Sequence, residues 1–243
     1  MDNLETAFDV PLSNESSTAV THYHSQLERL CTSLLIDYDL CIGEKRYEIL
    51  EVEAYLKAPH HADPFCHAHP LQYRSGYWFF HHIAMSKGFR GGSRKGVDIT
   101  LGHDKEDRSA GGLLIRAIVE HGTRRLVEGP SLVVDEVLKV LKYSNIKDLV
   151  QHQWLHHDRQ GHCWEEGSGF YLTLKKDNAT RPEKRLKIAE DDLKVYSSCR
   201  VGLGLTNPNP STALRLSYVG RRYRFVGVDN LLYATSIYVD KRN

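Results

Sequence analysis

The run Ile49-Leu50-Glu51-Val52-Glu53-Ala54-Tyr55-Leu56 constrains this chain more than any other stretch. Alternation with a period of two reads as a strand, with Glu51, Glu53 and Tyr55 on one face and Leu50, Val52, Ala54 and Leu56 on the other. Two carboxylates on one face of a strand stand about 7 Å apart. Unpaired charge is costly in an apolar core, so that face is expected to look into a cleft, or else into solvent from a sheet edge. A second strand, Gly112-Leu113-Leu114-Ile115-Arg116-Ala117-Ile118, places one arginine among apolar neighbours. Arg116 is then a natural ion-pair partner for Glu51 or Glu53.

The 243 residues suffice for one substantial domain. Residues 1–20, rich in Asp, Asn, Ser, Glu and Thr, read as a disordered tail, and 21–243 as the domain. Hydrophobic content of 41% and charged content of 26% fit a globular protein, with no apolar run of membrane-spanning length and no secretory leader. Five cysteines are odd in number and widely scattered, which favours a reducing compartment over a disulfide scaffold. The net charge of +1 argues against a protein that grips duplex DNA mainly through phosphates.

Leu27, Leu30, Cys31, Leu34 and Leu35 recur at helical spacing, so a first amphipathic helix ends near Leu35. A hairpin around Gly43-Glu44-Lys45 then leads into the central strand. Residues 57–73 carry three prolines and read as a loop. Strands are expected at Tyr77–Phe80 and Gly96–Leu101, a glycine-rich basic loop between them, and a charged turn at Lys105–Ala110. A loop should follow Arg116 through Thr123. Next come a helix with Ser131 as N-cap and the stripe Val133, Val134, Val137, Leu138 and Leu141, and a short helix within residues 143–155. Phe170–Leu174, Leu214–Tyr218 and Tyr223–Val226 read as strands, with a variable segment at 175–187. The pattern lacks regular βαβ alternation, so the expected class is α+β: one domain with a curved, largely antiparallel sheet and peripheral helices.

Five short motifs follow one another in a characteristic order: Glu51 to Leu56, a loop with Asp63 and His67, Leu114-Ile115-Arg116-Ala117, Glu128-Gly129-Pro130-Ser131, and Arg200-Val201-Gly202-Leu203-Gly204. From about Gln26 to Val226 the chain resembles the alkyladenine (3-methyladenine) DNA glycosylases. The resemblance implies the fold of that family, related to the formyltransferase C-terminal domain. It also implies a monomeric, monofunctional hydrolase that cleaves the N-glycosidic bond of an alkylated or deaminated purine in base excision repair, without metal or cofactor. By the same resemblance Glu53 would activate the water, Arg116 and the carbonyl of Leu203 would place it, and Tyr55 and His67 would contact the extruded base. The partner would be DNA, single strands included, or another nucleic acid, in the nucleus or cytoplasm.

The chain departs from that family at two positions. Gly91 stands where the family has a wedge tyrosine, and Asp98 where it has a pocket asparagine. A glycine cannot fill the gap left by a flipped base, whose unstacking costs a few kcal/mol. Ionised, Asp98 offers only acceptors, so its pocket should prefer a base with an exocyclic amine or a positive charge. Lys87, Arg90, Arg94 and Lys95 form a basic loop suited to phosphates, without the ending of a Walker motif. The alternative function is a protein that binds nucleic acid or nucleotide without releasing a base. Among the 14 histidines, His67-Ala68-His69 and the pair His152/His156 have metal-ligand spacing. With no His-Glu-x-x-His or paired Cys-x-x-Cys, no metal is expected.

Overall fold

In the computed structural model residues 8, 10–11, 18–83, 88–104, 108–154, 161–175, 194–205 and 212–228 are described. Helix α1 spans Ala19–Asp37 and buries Tyr23, Leu27, Leu30, Cys31, Leu34 and Leu35 along one stripe. Each of its fully buried leucines contributes about 1.5–3 kcal/mol by leaving water. No glycine ends α1; Tyr38 turns extended and the chain enters β1 (Tyr38–Ile42) directly. Residues 1–7, 9 and 12–17 of the expected tail lie outside the description, but Phe8 and Val10 are buried, and Phe8 stacks on Trp164 at 5.1 Å.

A two-residue turn, with Gly43 at φ +55°, joins β1 to β2 (Lys45–Ala58). Beyond β2 come the short β3 (His61–Ala62), a 3-10 turn at Pro70–Tyr73, β4 (Ser75–Phe80), β5 (Val97–Leu101), β6 (Ala110–Glu120) and β7 (Leu126–Glu128). His69 caps the 3-10 turn: its Nδ1 accepts from the Leu71 N–H, and Gln72 returns a bond to the His69 N–H. The expected loop after Arg116 is instead strand as far as Glu120, because residues 117–119 pair with β7. Helix α2 (Pro130–Leu141) is capped by Gly129 at φ +115°, and Ser131 lies inside its first turn; Pro130 fills the first helical position, where no amide partner is needed. Helix α3 (Ile146–Gln153) is capped by Asn145 through Asp148.

The last elements among the described residues are β8 (Phe170–Leu174), β9 (Lys194–Ser198), α4 (Thr212–Val219) and β10 (Arg224–Val228). Leu214 to Tyr218, read as a strand from its alternation, is helical. Arg215 and Tyr218, three residues apart, are its buried side chains, and Leu216 is exposed. Residues 176–193, which include most of the expected variable segment, and 105–107 of the charged turn lie outside the description.

All strand pairs are antiparallel, in the order β4-β5-β6-β2-β1-β8, and the sheet curls into a half-barrel, giving the α+β class. Strand β2 organises it. Along one edge β2 pairs with β6 through most of its length; along the other it pairs first with β1 at residues 45–48 and then with β10 at 51–53. A bulge marks the changeover, with register shifts on both sides of Glu51. It shifts the alternation of the residues that precede it, so that Ile49 lies in the main core. Val52, Ala54 and Leu56 join the main core against α1, α2 and α3, whereas Leu50 falls into a separate cluster with Ala117, Val119 and Val226. Among the described residues no helix is long and apolar enough to cross a membrane.

Candidate functional site

Pairing in register lays a row across the sheet: Arg224 on β10, Glu53 on β2, Leu114 on β6, Asp98 on β5 and Phe79 on β4. Glu53, the residue expected to act as base, has no solvent exposure, and Glu51 is only 3% exposed. The expected open cleft is therefore absent at the two carboxylates, because they are compensated inside the fold. Arg116 donates from Nε to Glu51 at 2.7 Å and reaches Glu53 with Nη1 at 3.2 Å; Arg224 donates to the same Glu51 oxygen at 2.6 Å. Glu53 also accepts from the Tyr55 hydroxyl at 2.7 Å and from the Val201 N–H at 2.8 Å. Side chains from β2 and β6 and a backbone amide of the loop after β9 thus converge on one carboxylate. Leu203 follows two residues after Val201 on that loop and is half-buried.

Tyr55 is half-buried, and Arg200 covers its ring at 4.4 Å. Burial, and then the charge of Glu53, hold its hydroxyl well above the usual tyrosine range, so it remains a donor. Sequence reasoning placed Arg200 and Asp63 in motifs but gave neither a role. They form a fully buried bidentate pair at 2.6 and 3.1 Å, and Arg200 also donates to the carbonyl of Ala54 at 3.1 Å. That pair ties the loop carrying His67 to the loop carrying Val201 and Leu203.

His67 lies beside Phe79 and His81, its ring edge-on to His81 at 4.5 Å. Burial, followed by the neighbouring His81, lowers its pKa to about 4, so the ring is neutral at pH 7. Asp98 is buried with both oxygens engaged: His81 Nε2 lies 2.8 Å from Oδ1, and Gln72 donates to Oδ2 at 3.1 Å. Glycine at position 112 leaves the room that Asp98 occupies, since a Cβ there would come within 2.8 Å of Oδ2. Sequence reasoning gives His81 no role, and nothing in the sequence signals its bond to Asp98.

Of the basic residues expected to hold phosphates, Arg94 is exposed and has no side-chain partner among the described residues. Arg90 donates to the carbonyl of His82 at 3.0 Å, Lys95 pairs with Asp135, and Lys87 lies outside the description. Gly91 is exposed, with nothing within 4 Å of a Cβ built there. This loop borders a cavity of about 890 Å³, which His69, Phe79, His82, Phe89 and Trp154 also line. Glu53, Tyr55 and Arg116 do not line it. His152 stands on α3, and His156 lies outside the described residues.

No protein-family model matches the chain. It is similar to the "Uncharacterized protein L759" of Acanthamoeba polyphaga mimivirus, with 28% identity over 174 residues, covering 68% of this chain and 72% of the viral protein.

Proposed function

We propose that this protein is a hydrolase acting on the N-glycosidic bond of a modified purine in nucleic acid, with Glu53 as the general base. The observation that carries the reading is the convergence on Glu53: Tyr55, Arg116 and Val201, from separate motifs of the resemblance, all contact that carboxylate. An ionised carboxylate has about four acceptor sites. Among the described residues Oε2 serves both Tyr55 and Arg116, whereas Oε1 serves the Val201 amide. Oε1 meets the loop that carries both Val201 and Leu203, so the attacking water is assigned to Oε1, with the Leu203 carbonyl as its second acceptor. Arg116 holds the carboxylate, Tyr55 offers a ring to the base, and the neutral His67 and Asp98 lie farther along the same sheet face.

The test is release of free base from alkylated and deaminated DNA, single- and double-stranded, followed by mass spectrometry. Glu53→Gln keeps the size and most hydrogen bonds of the side chain and is expected to lower the rate by about 10² or more. Equal release by wild type and variant would remove Glu53 from the mechanism. A second reading, binding without release, is favoured by the exposed Gly91 at the wedge position and by the complete burial of Glu53. Retained binding with no release from any substrate would select it.

A further inference from the structure

We infer that His67, His81 and Asp98 form a binding site for one divalent transition-metal ion, distinct from the Glu53 network. The ligand atoms of the three side chains all lie within 4.8 Å of one another. They arrive from three segments: the loop after β3, the residue following β4, and the second residue of β5. Two imidazoles and one carboxylate suit Zn²⁺ or Fe²⁺ rather than Mg²⁺ or Ca²⁺, which favour all-oxygen sets. Three protein ligands also leave a coordination position for water or substrate.

The surroundings are built around this constellation. His81 folds back across the neighbouring strand because position 96 is glycine, where a Cβ would stand 2.6 Å from the imidazole. Gly112 makes the equivalent space for Asp98. Gln72 fixes Asp98 through Oδ2 and leaves Oδ1 toward His81, the kind of support that orients a ligating carboxylate. The ring nitrogens of the half-buried His67 have no hydrogen-bond partner among the described residues. The next residue, Ala68, adopts φ +47°, a left-handed conformation uncommon for a residue other than glycine. A metal would take the position now bridged by the His81–Asp98 hydrogen bond and draw in His67. Because Glu53 and Asp98 lie in one cross-strand row with Leu114 between them, the ion would sit about 10 Å from Glu53.

The experiment uses the full chain without a histidine tag, stripped with chelator and dialysed. Zn²⁺ is titrated by calorimetry, bound metal is counted by mass spectrometry, and Co²⁺ is added as a visible-absorption probe. The expected result is one equivalent of Zn²⁺, and a Co²⁺ spectrum of a low-coordinate nitrogen and oxygen site. His67→Ala, His81→Ala and Asp98→Ala should each weaken binding at least tenfold, and Gln72→Leu about 10–100-fold. His152→Ala and Glu53→Gln should bind as wild type does. Absence of stoichiometric binding by the wild type would overturn the inference, as would binding that survives His67→Ala and Asp98→Ala but is lost in His152→Ala. The wild-type Co²⁺ spectrum decides the matter even where a variant fails to fold. None of these readouts depends on base release, so the site stands or falls separately from the hydrolase.

Discussion

Asp63→Asn is the sharpest test of how the site is held together. Asp63 and Arg200 are both fully buried, and the carboxylate receives two guanidinium bonds as well as the Phe65 N–H at 3.1 Å. Asparagine preserves the volume and one acceptor but removes the charge, leaving Arg200 uncompensated, with its Nε already lacking a partner. Removing one member of a buried pair costs about 3–5 kcal/mol, much of it the burden of the charge left behind. For a domain stable by about 5–15 kcal/mol, that is a large fraction of the total. In a urea titration followed by tryptophan fluorescence, an m-value of about 2–3 kcal/mol/M converts this loss into a midpoint lowered by roughly 1–2.5 M. Replacing both members, with Asp63→Leu and Arg200→Met, should recover most of the loss, because no charge then remains to be compensated. A midpoint for Asp63→Asn less than about 0.3 M below wild type, equivalent to under about 1 kcal/mol, would refute the reasoning.

Tyr55→Phe deletes the hydroxyl bonded to Glu53 and is expected to lower stability by about 1.5–3 kcal/mol, as for a hydrogen bond to a charged group; an unchanged urea midpoint would show that the bond contributes nothing. Gly112→Ala should cost about 1–3 kcal/mol through overpacking against Asp98, and distinctly less in an Asp98→Ala background; equal costs in both backgrounds would show that Asp98 is not the obstacle. Acidification should expose the buried histidines. Burial and neighbouring histidines lower the pKa of both His67 and His82 from the ordinary 6.5 to about 4. The unfolded chain therefore takes up these protons first, and the stabilisation, present in full above about pH 6.5, is lost progressively down to about pH 4. Each group contributes at most about 3 kcal/mol. The difference in unfolding free energy between wild type and His82→Gln should shrink over that range, and a flat difference would exclude His82.

The sequence made much of this legible where periodicity had one interpretation. The alternation of β2 placed Glu51, Glu53 and Tyr55 together, and Arg116 does meet both acids. What alternation could not convey was the bulge at Glu51, which depends on two different strands sharing one edge of β2. Leu50 was consequently assigned to the wrong face. The burial of the two acids was equally hidden, since it rests on Arg224 and on the Val201 amide, both distant in sequence. Leu214-Arg215-Leu216-Ser217-Tyr218 satisfies a strand pattern, yet helical spacing lets Arg215 turn inward and donate to the carbonyl of Gly204. Propensity yields there to a tertiary contact. The His67, His81 and Asp98 constellation joins three segments across 32 positions and has no local signature.

The sharing of one β2 edge by β1 and β10 also sets an order of assembly. Glu51 is clamped by Arg224, which lies 173 residues farther along the chain. During synthesis from the N-terminus, the hairpin and both acids emerge long before the arginine that neutralises them. Until β10 docks, Glu51 lacks the Arg224 bond, and residues 51–53 of that β2 edge lack the strand that pairs with them. Completion of the charge network is therefore a late, non-local event, of the kind that slows folding. A nascent chain stalled before Arg224 would carry the motif in its sequence without a closed carboxylate pair in its fold.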